Sequence, residues 1–171
     1  MNSATKINIV VPHRSAEAVR RAEALADGAW LRGAKTRVWT MSSAPGASTP
    51  MVNAIRDGDI LIVGTDPVTG AVPSAFLQLA DTLFTSAGRA SQTLRLVGTF
   101  PLTFLERDEL AGDFDVCAWT MATGLTWAEP GGAEADAPAD PAAAARLYGE
   151  RLTQFAADQP QAEASPLAHA A

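Results

Sequence analysis

At 171 residues, with 47% hydrophobic side chains and a mean hydropathy of +0.05, the chain has the size and balance of one globular domain with a substantial core. Its net charge of −6 argues against nucleic acid, which needs a basic face. The single cysteine, Cys117, excludes an intramolecular disulfide and fits a reducing cytoplasm.

Taken in chain order, strands and helices alternate. The first strand is expected at about residues 6–11, entered directly from the N-terminus without a charged and then apolar leader, so no secretory signal is expected. A helix follows over residues 15–31, with Ala18, Ala22, Leu25 and Ala29 on one face, Arg20, Arg21 and Asp27 off it, and Gly33 as its stop. The second strand is expected at residues 36–41. A Ser/Ala/Gly/Pro-rich loop over 42–50 and a short helix over 51–56 lead to the third strand at 59–63. That strand ends abruptly at Gly64, and a polar loop with a second glycine, Gly70, precedes a helix over 73–84 that opens on Pro73. Its apolar residues Phe76, Leu79, Ala80 and Leu83 recur at helical spacing, with Gln78 and Asp81 off the stripe. A fourth strand at 94–100, a short helix at 105–111 and a fifth strand at 115–121 come next. That last assignment puts Cys117 and Trp119 in a strand and Trp127 just beyond it, on the rim of the site.

An Ala/Pro/Gly/acid-rich stretch over 128–141 leads to a final helix over 141–157 with Ala144, Leu147, Tyr148, Leu152 and Phe155 as its stripe. Residues 159–171 lack apolar periodicity and read as a disordered tail, so the folded domain is residues 1–158. Strict alternation implies parallel pairing with right-handed crossovers and helices on both faces. The runs Ile9-Val10-Val11, Leu61-Ile62-Val63 and Leu96-Val97 are continuous, as in strands buried on both sides. The expected fold is therefore α/β: a flavodoxin-like three-layer sandwich around a five-stranded parallel sheet of order 2-1-3-4-5. Ligands of such sheets lie where strands one and three diverge, under the loops at 12–16, 64–72 and 101–104.

Several chemistries start with too few residues. With two histidines, His13 and His169, and one cysteine, the usual zinc ligands cannot be assembled, and a hydrolase would have to rest on His13. Gly-x-Ser-x-Gly, Gly-x-Gly-x-x-Gly and Walker-type motifs are absent. The longest apolar runs, residues 7–11 and 60–63, are far short of the roughly 20 residues that cross a bilayer. Cys117 reads as inert packing, and Trp39 and Trp119 as core. Phe100, Phe104 and Trp127 are candidate aromatic contacts to a ligand.

The loop Gly64-Thr65-Asp66-Pro67-Val68-Thr69-Gly70, the following Leu79-Ala80-Asp81, the segment Ala26-Asp27-Gly28-Ala29 and the stretch from Ala145 to Arg151 resemble a known family. It is the tryptophan-repressor-binding-protein type of NAD(P)H:quinone oxidoreductase, whose loop reads Gly-Thr-Pro-Thr-x-Phe/Tyr-Gly. The resemblance implies FMN as cofactor, with NAD(P)H and a quinone-like or other small acceptor as partners. It assigns cofactor binding to His13, Arg14, Ser15 and Ala16 after the first strand, to Thr65, Asp66, Pro67, Val68, Thr69 and Gly70 after the third, and to Pro101 and Leu102 after the fourth. No side chain of the protein need act as acid or base, because the flavin carries the redox chemistry. The sequence departs from the family pattern at Ala16, which stands for a glycine, at Thr69, which stands for an aromatic, and in a shortened third loop. Those departures keep open an alternative: a degenerate, non-catalytic module of the same fold that binds a protein partner or another small anion. Neither a membrane nor a metal is expected, and related folds allow a homo-oligomer by analogy.

Overall fold

The structure, a computed structural model of the chain, describes residues 4–11, 16–41, 48–65, 74–84, 93–101, 111–128 and 138–159. Five strands carry the architecture: β1 (Lys6–Val11), β2 (Lys35–Thr40), β3 (Ile60–Thr65), β4 (Leu96–Pro101) and β5 (Thr126–Trp127). They pair in parallel in the order β2-β1-β3-β4-β5, the order that the alternating pattern implies. The helices are α1 (Ala16–Leu31), α2 (Thr49–Arg56), α3 (Ser74–Phe84), α4 (Ala111–Ala122) and α5 (Pro141–Asp158).

Side chains of a strand alternate between the two faces of a sheet, and here each face has its own helical layer. Ile7, Ile9, Val11, Ile60 and Ile62 pack with Ala18, Ala22, Leu25 and Ala29 of α1 and with Leu152 and Ala156 of α5. Val10, Leu61, Val63 and Val97 pack on the other side with Met51, Val52 and Ile55 of α2, the α3 stripe and Val116 of α4. The α3 stripe is as expected: Phe76, Leu79, Ala80 and Leu83 are buried, while Gln78 and Asp81 face solvent. Gly33, at φ 83°, ends α1 in the left-handed conformation that glycine adopts without a Cβ penalty.

The helices α1 and α5 approach more closely than side chains allow. A Cβ on Gly28 would overlap the carbonyl oxygen of Arg146, and one on Gly149 would overlap the carbonyl oxygen of Leu25. Two glycines, one on each helix, thus let backbone meet backbone. At the rim of the same pair, Arg32 Nη2 donates to Glu150 Oε2 at 3.0 Å.

One assignment from the sequence is overturned. Residues 115–121, expected as the fifth strand, lie in α4, and the strand is only Thr126–Trp127. Val116, Trp119 and Thr120 are β-branched or aromatic and imitate a strand, but the burial has helical period. Val116 and Thr120 are buried, whereas Ala118, which a period of two would bury with them, is exposed. Thr120 meets its hydroxyl's demand inside the helix, donating to the Val116 carbonyl at 2.7 Å. Gly124, at φ 76°, then turns the chain into β5. Cys117 and Trp119 accordingly sit on a helix, and Trp119 meets Phe76 edge-to-face with ring centres 5.5 Å apart. The short helix expected at 105–111 lies outside the described residues up to position 110, and Ala111 opens α4. The tail beyond residue 159 also lies outside them.

Two buried polar side chains were not anticipated. Arg21, expected off the apolar face of α1, is 6% exposed, and its guanidinium pairs with Glu17 one turn earlier at 2.6 Å. Asn8, inside β1, is 3% exposed; its amide nitrogen donates to the Ala54 carbonyl and its oxygen accepts from Trp39 Nε1, both at 2.9 Å. Asn8 thereby ties β1, β2 and α2 together, and each bond offsets the cost of burying a polar group.

Candidate functional site

The sheet opens at its carboxyl edge. The β1–β3 ladder ends at Val10 opposite Val63, while β3 and β4 stay paired two positions further, through Gly64 opposite Phe100 and Thr65 opposite Pro101. On its other side, β1 runs with β2 to Val11 opposite Thr40. From this divergence α1 goes to one face, and α2 and α3 to the other. A crevice at that point is where an open α/β sheet presents a ligand to loop backbone and helix N-termini.

Three of the expected site residues are placed there. Ala16 opens α1 and is exposed. Thr65 and Pro101 end their strands and face each other in register, so the second and third expected loops spring from neighbouring backbone. His13, Arg14, Ser15, Asp66, Pro67, Val68, Thr69, Gly70 and Leu102 lie outside the described residues.

The first turn of α1 has a charge arrangement that the expected site did not include. Glu17 suits the positive end of the helix dipole but would oppose a bound anion there. Arg21 neutralises it across one turn, leaving the amino end of α1 electrostatically compatible with a phosphate. The i, i+4 spacing of Glu17 and Arg21 was the signal available for this pair. Behind β4, Tyr148 of α5 donates its hydroxyl to the Thr99 carbonyl at 2.9 Å and steadies the strand two residues before its end. Gly98 makes room for this contact, since a Cβ there would stand 3.2 Å from the Tyr148 oxygen and 2.7 Å from the Ala128 carbonyl oxygen.

The aromatic candidates fare differently from expectation. Phe100 is 4% exposed and belongs to the core beneath α1 and α5, so it does not present a ring to the crevice. Trp127 is part of β5, opposite Val97. At roughly 3.3 Å per residue it stands about 13 Å short of the end of β4, on the outermost strand and away from the carboxyl rim. Phe104 lies outside the described residues. Among the described residues no three His, Cys, Asp or Glu side chains gather as metal ligands would, and no helix is long and apolar enough to cross a membrane.

The chain matches no protein-family model, and no curated protein matches it in sequence. Solved structures do match it. A flavodoxin, WrbA-like protein from Agrobacterium tumefaciens superposes with a TM-score of 0.68 at 22% identity, over 91% of this chain and 98% of that one. A flavodoxin from the domain Archaea gives 0.61 at 11% identity, over 90% and 99%. FerB from Paracoccus denitrificans, described as a flavoenzyme NAD(P)H:(acceptor) oxidoreductase, gives 0.62 at 8% identity, over 90% and 98%. Its strand order, its two helical faces and these superpositions over nine tenths of its length make the chain a flavodoxin-like α/β protein in fold.

Proposed function

We propose that the protein binds FMN in the crevice where β1 and β3 part, and passes electrons from NAD(P)H to a quinone-like or other small acceptor in the cytoplasm. The observation that carries this reading is the divergence of β1 from β3 at the carboxyl edge of the sheet. The ladder stops early between β1 and β3, α1 opens at Ala16, five positions after β1 ends, and the one carboxylate described in that first turn is paired with Arg21. The solved neighbour described as an NAD(P)H:(acceptor) oxidoreductase supports the redox half of the reading.

In this reading His13, Arg14, Ser15 and the Ala16 backbone surround the phosphate, with N–H groups and a guanidinium supplying the charge-assisted bonds a dianion demands. Thr65 to Gly70 form the loop along the ring edge, and Pro101 and Leu102 close the far side. When bound, the flavin supplies the electron transfer. The chain's task is to hold it, exclude water around it and set its potential through backbone contacts.

Titration with FMN tests the proposal. The protein should turn yellow, quench flavin fluorescence and melt at a higher temperature, since a ligand that binds only the native state stabilises it. Riboflavin, lacking the phosphate, should bind distinctly more weakly, and Arg14→Ala should remove most of that difference. A protein that stays colourless with FMN well above micromolar concentration, and oxidises no NAD(P)H with any quinone, would refute it. The second reading, a non-catalytic module of the same fold, draws on Ala16: it stands at the helix start where the family pattern has glycine, and its Cβ narrows backbone approach.

A further inference from the structure

At the opposite end of the sheet, the amino-terminal ends of β1 and β2 border a groove of about 330 Å³ whose lining includes Lys6, Asn8, Lys35, Arg37, Ala54 and Asp57. The chain has only two lysines, Lys6 and Lys35, and the register sets them directly opposite each other. Arg37 lies two positions along β2, opposite Asn8, and so projects to the same face. Like charges opposite one another in a sheet repel and destabilise the pairing. Among the described residues only Lys6 has a partner for its ammonium, the Asp57 carbonyl at 3.2 Å, and neither Lys35 nor Arg37 forms an ion pair. Among the described residues Asp57 is the one carboxylate in the lining. Asp59 nearby is engaged elsewhere, accepting from the Lys6 backbone N–H at 2.9 Å and facing Arg95 at 3.7 Å.

Lys6, Lys35 and Arg37 are exposed and stand around the groove beside a nine-tenths buried amide, Asn8, which gives one of its two N–H groups to Ala54. In a protein of net charge −6, this concentrates positive potential in one concave place.

We propose that this groove is a binding site for a compact, phosphate-bearing small molecule. Arg37 offers a planar fork that suits two phosphoryl oxygens, Lys35 and Lys6 add point charges, and the Ala54 and Asn8 wall takes the uncharged remainder. The volume is at the lower end of small-molecule sites. From Lys6 to Val11, β1 spans roughly 16 Å, so the groove and the carboxyl-edge crevice are separate.

The test is a titration of isotope-labelled, flavin-free protein with sodium pyrophosphate at fixed ionic strength, followed by amide NMR. Saturable shifts are expected at residues 6–8 and 35–37, with half-saturation below a millimolar, weakened at least tenfold in the Lys35→Gln/Arg37→Gln double variant. Citrate, of comparable charge but without phosphorus, should bind more weakly. Without ligand, Lys35→Gln should melt at the same or a higher temperature, because it removes the repulsion from Lys6. Non-saturating shifts, shifts confined to Val11 and Ala16, unchanged affinity in the double variant, or citrate binding as tightly as pyrophosphate would each overturn the proposal. So would a lower melting temperature of ligand-free Lys35→Gln, which would make Lys35 a structural residue.

Discussion

Gly149→Ala should destabilise the protein, against the sign that helix propensity alone would give. In an exposed helix the change stabilises by about 1 kcal/mol, because alanine is the better helix former. At position 149 the new methyl would overlap the Leu25 carbonyl oxygen and lie 2.9 Å from the Ala29 nitrogen. Both are backbone atoms of α1, so no rotamer change relieves the collision, and the two helices must move apart. Forcing a group into a packed interface costs about 1–3 kcal/mol, occasionally more. Here the movement also loosens Leu25 and Leu152, both fully buried in the layer beneath the helices. With a collision against fixed backbone at the upper part of that range, and after subtracting the propensity gain, we expect a net loss of about 1–2 kcal/mol, a fall in melting temperature of roughly 2–8 °C for a domain of this size. Urea and thermal denaturation followed by circular dichroism would measure it, with exposed Gln154→Ala as the neutral control. Gly28→Ala should behave alike, since its methyl would meet the Arg146 carbonyl. The double variant should lose less than the sum of the two, because the first substitution has already parted the helices. A Gly149→Ala protein that melts higher than the parent would refute the close approach.

The α3 stripe makes a second test: Leu79→Ala should cost about 2–5 kcal/mol as a core truncation, whereas Gln78→Ala, on the wet face, should stay within about 0.5 kcal/mol. Equal losses in chemical denaturation would mean that the helix faces are wrongly assigned. Ending the chain at Asp158 should leave the melting temperature within roughly two degrees, because residues 159–171 offer little apolar surface to offset their ordering. Ending it at Asp140 removes α5, with Leu152 and Ala156 from the core, and should abolish cooperative melting.

The fold was legible because its inner strands are buried on both sides and therefore spell continuous apolar runs, and because α1 and α3 keep clear stripes; of the stripe expected on α5 only Leu152 is fully buried, beside Gly149, Thr153 and Ala156. The fifth strand was misplaced for a physical reason. Val116, Trp119 and Thr120 have strand-like side chains, and the period that identifies the helix emerges only when exposed Ala118 is set against its neighbours. Thr126 and Trp127 form too short a strand to leave any pattern. Arg21 and Asn8 were illegible for another reason: both are polar types held inside by partners. Glu17 is near in sequence and could have been noticed, but Trp39 and Ala54 come near Asn8 only through folding. The crevice was placed by topology. The Lys6–Lys35 juxtaposition needed the strand register, which separates neighbours in space from neighbours in the chain.

The pairing of α1 with α5 also bears on how the protein leaves the ribosome. Arg32 and Glu150, which meet across that interface, are 118 positions apart, so α1 emerges long before its partner exists. At roughly 5–20 residues per second, synthesis of the intervening chain takes on the order of ten seconds. During that interval β2, β3 and β4 are made in turn and can join β1, while the glycine-and-alanine face of α1 has no α5 to cover it. The nascent chain therefore passes that interval as an unclosed domain with one bare helical seam, which closes only once α5 has been made.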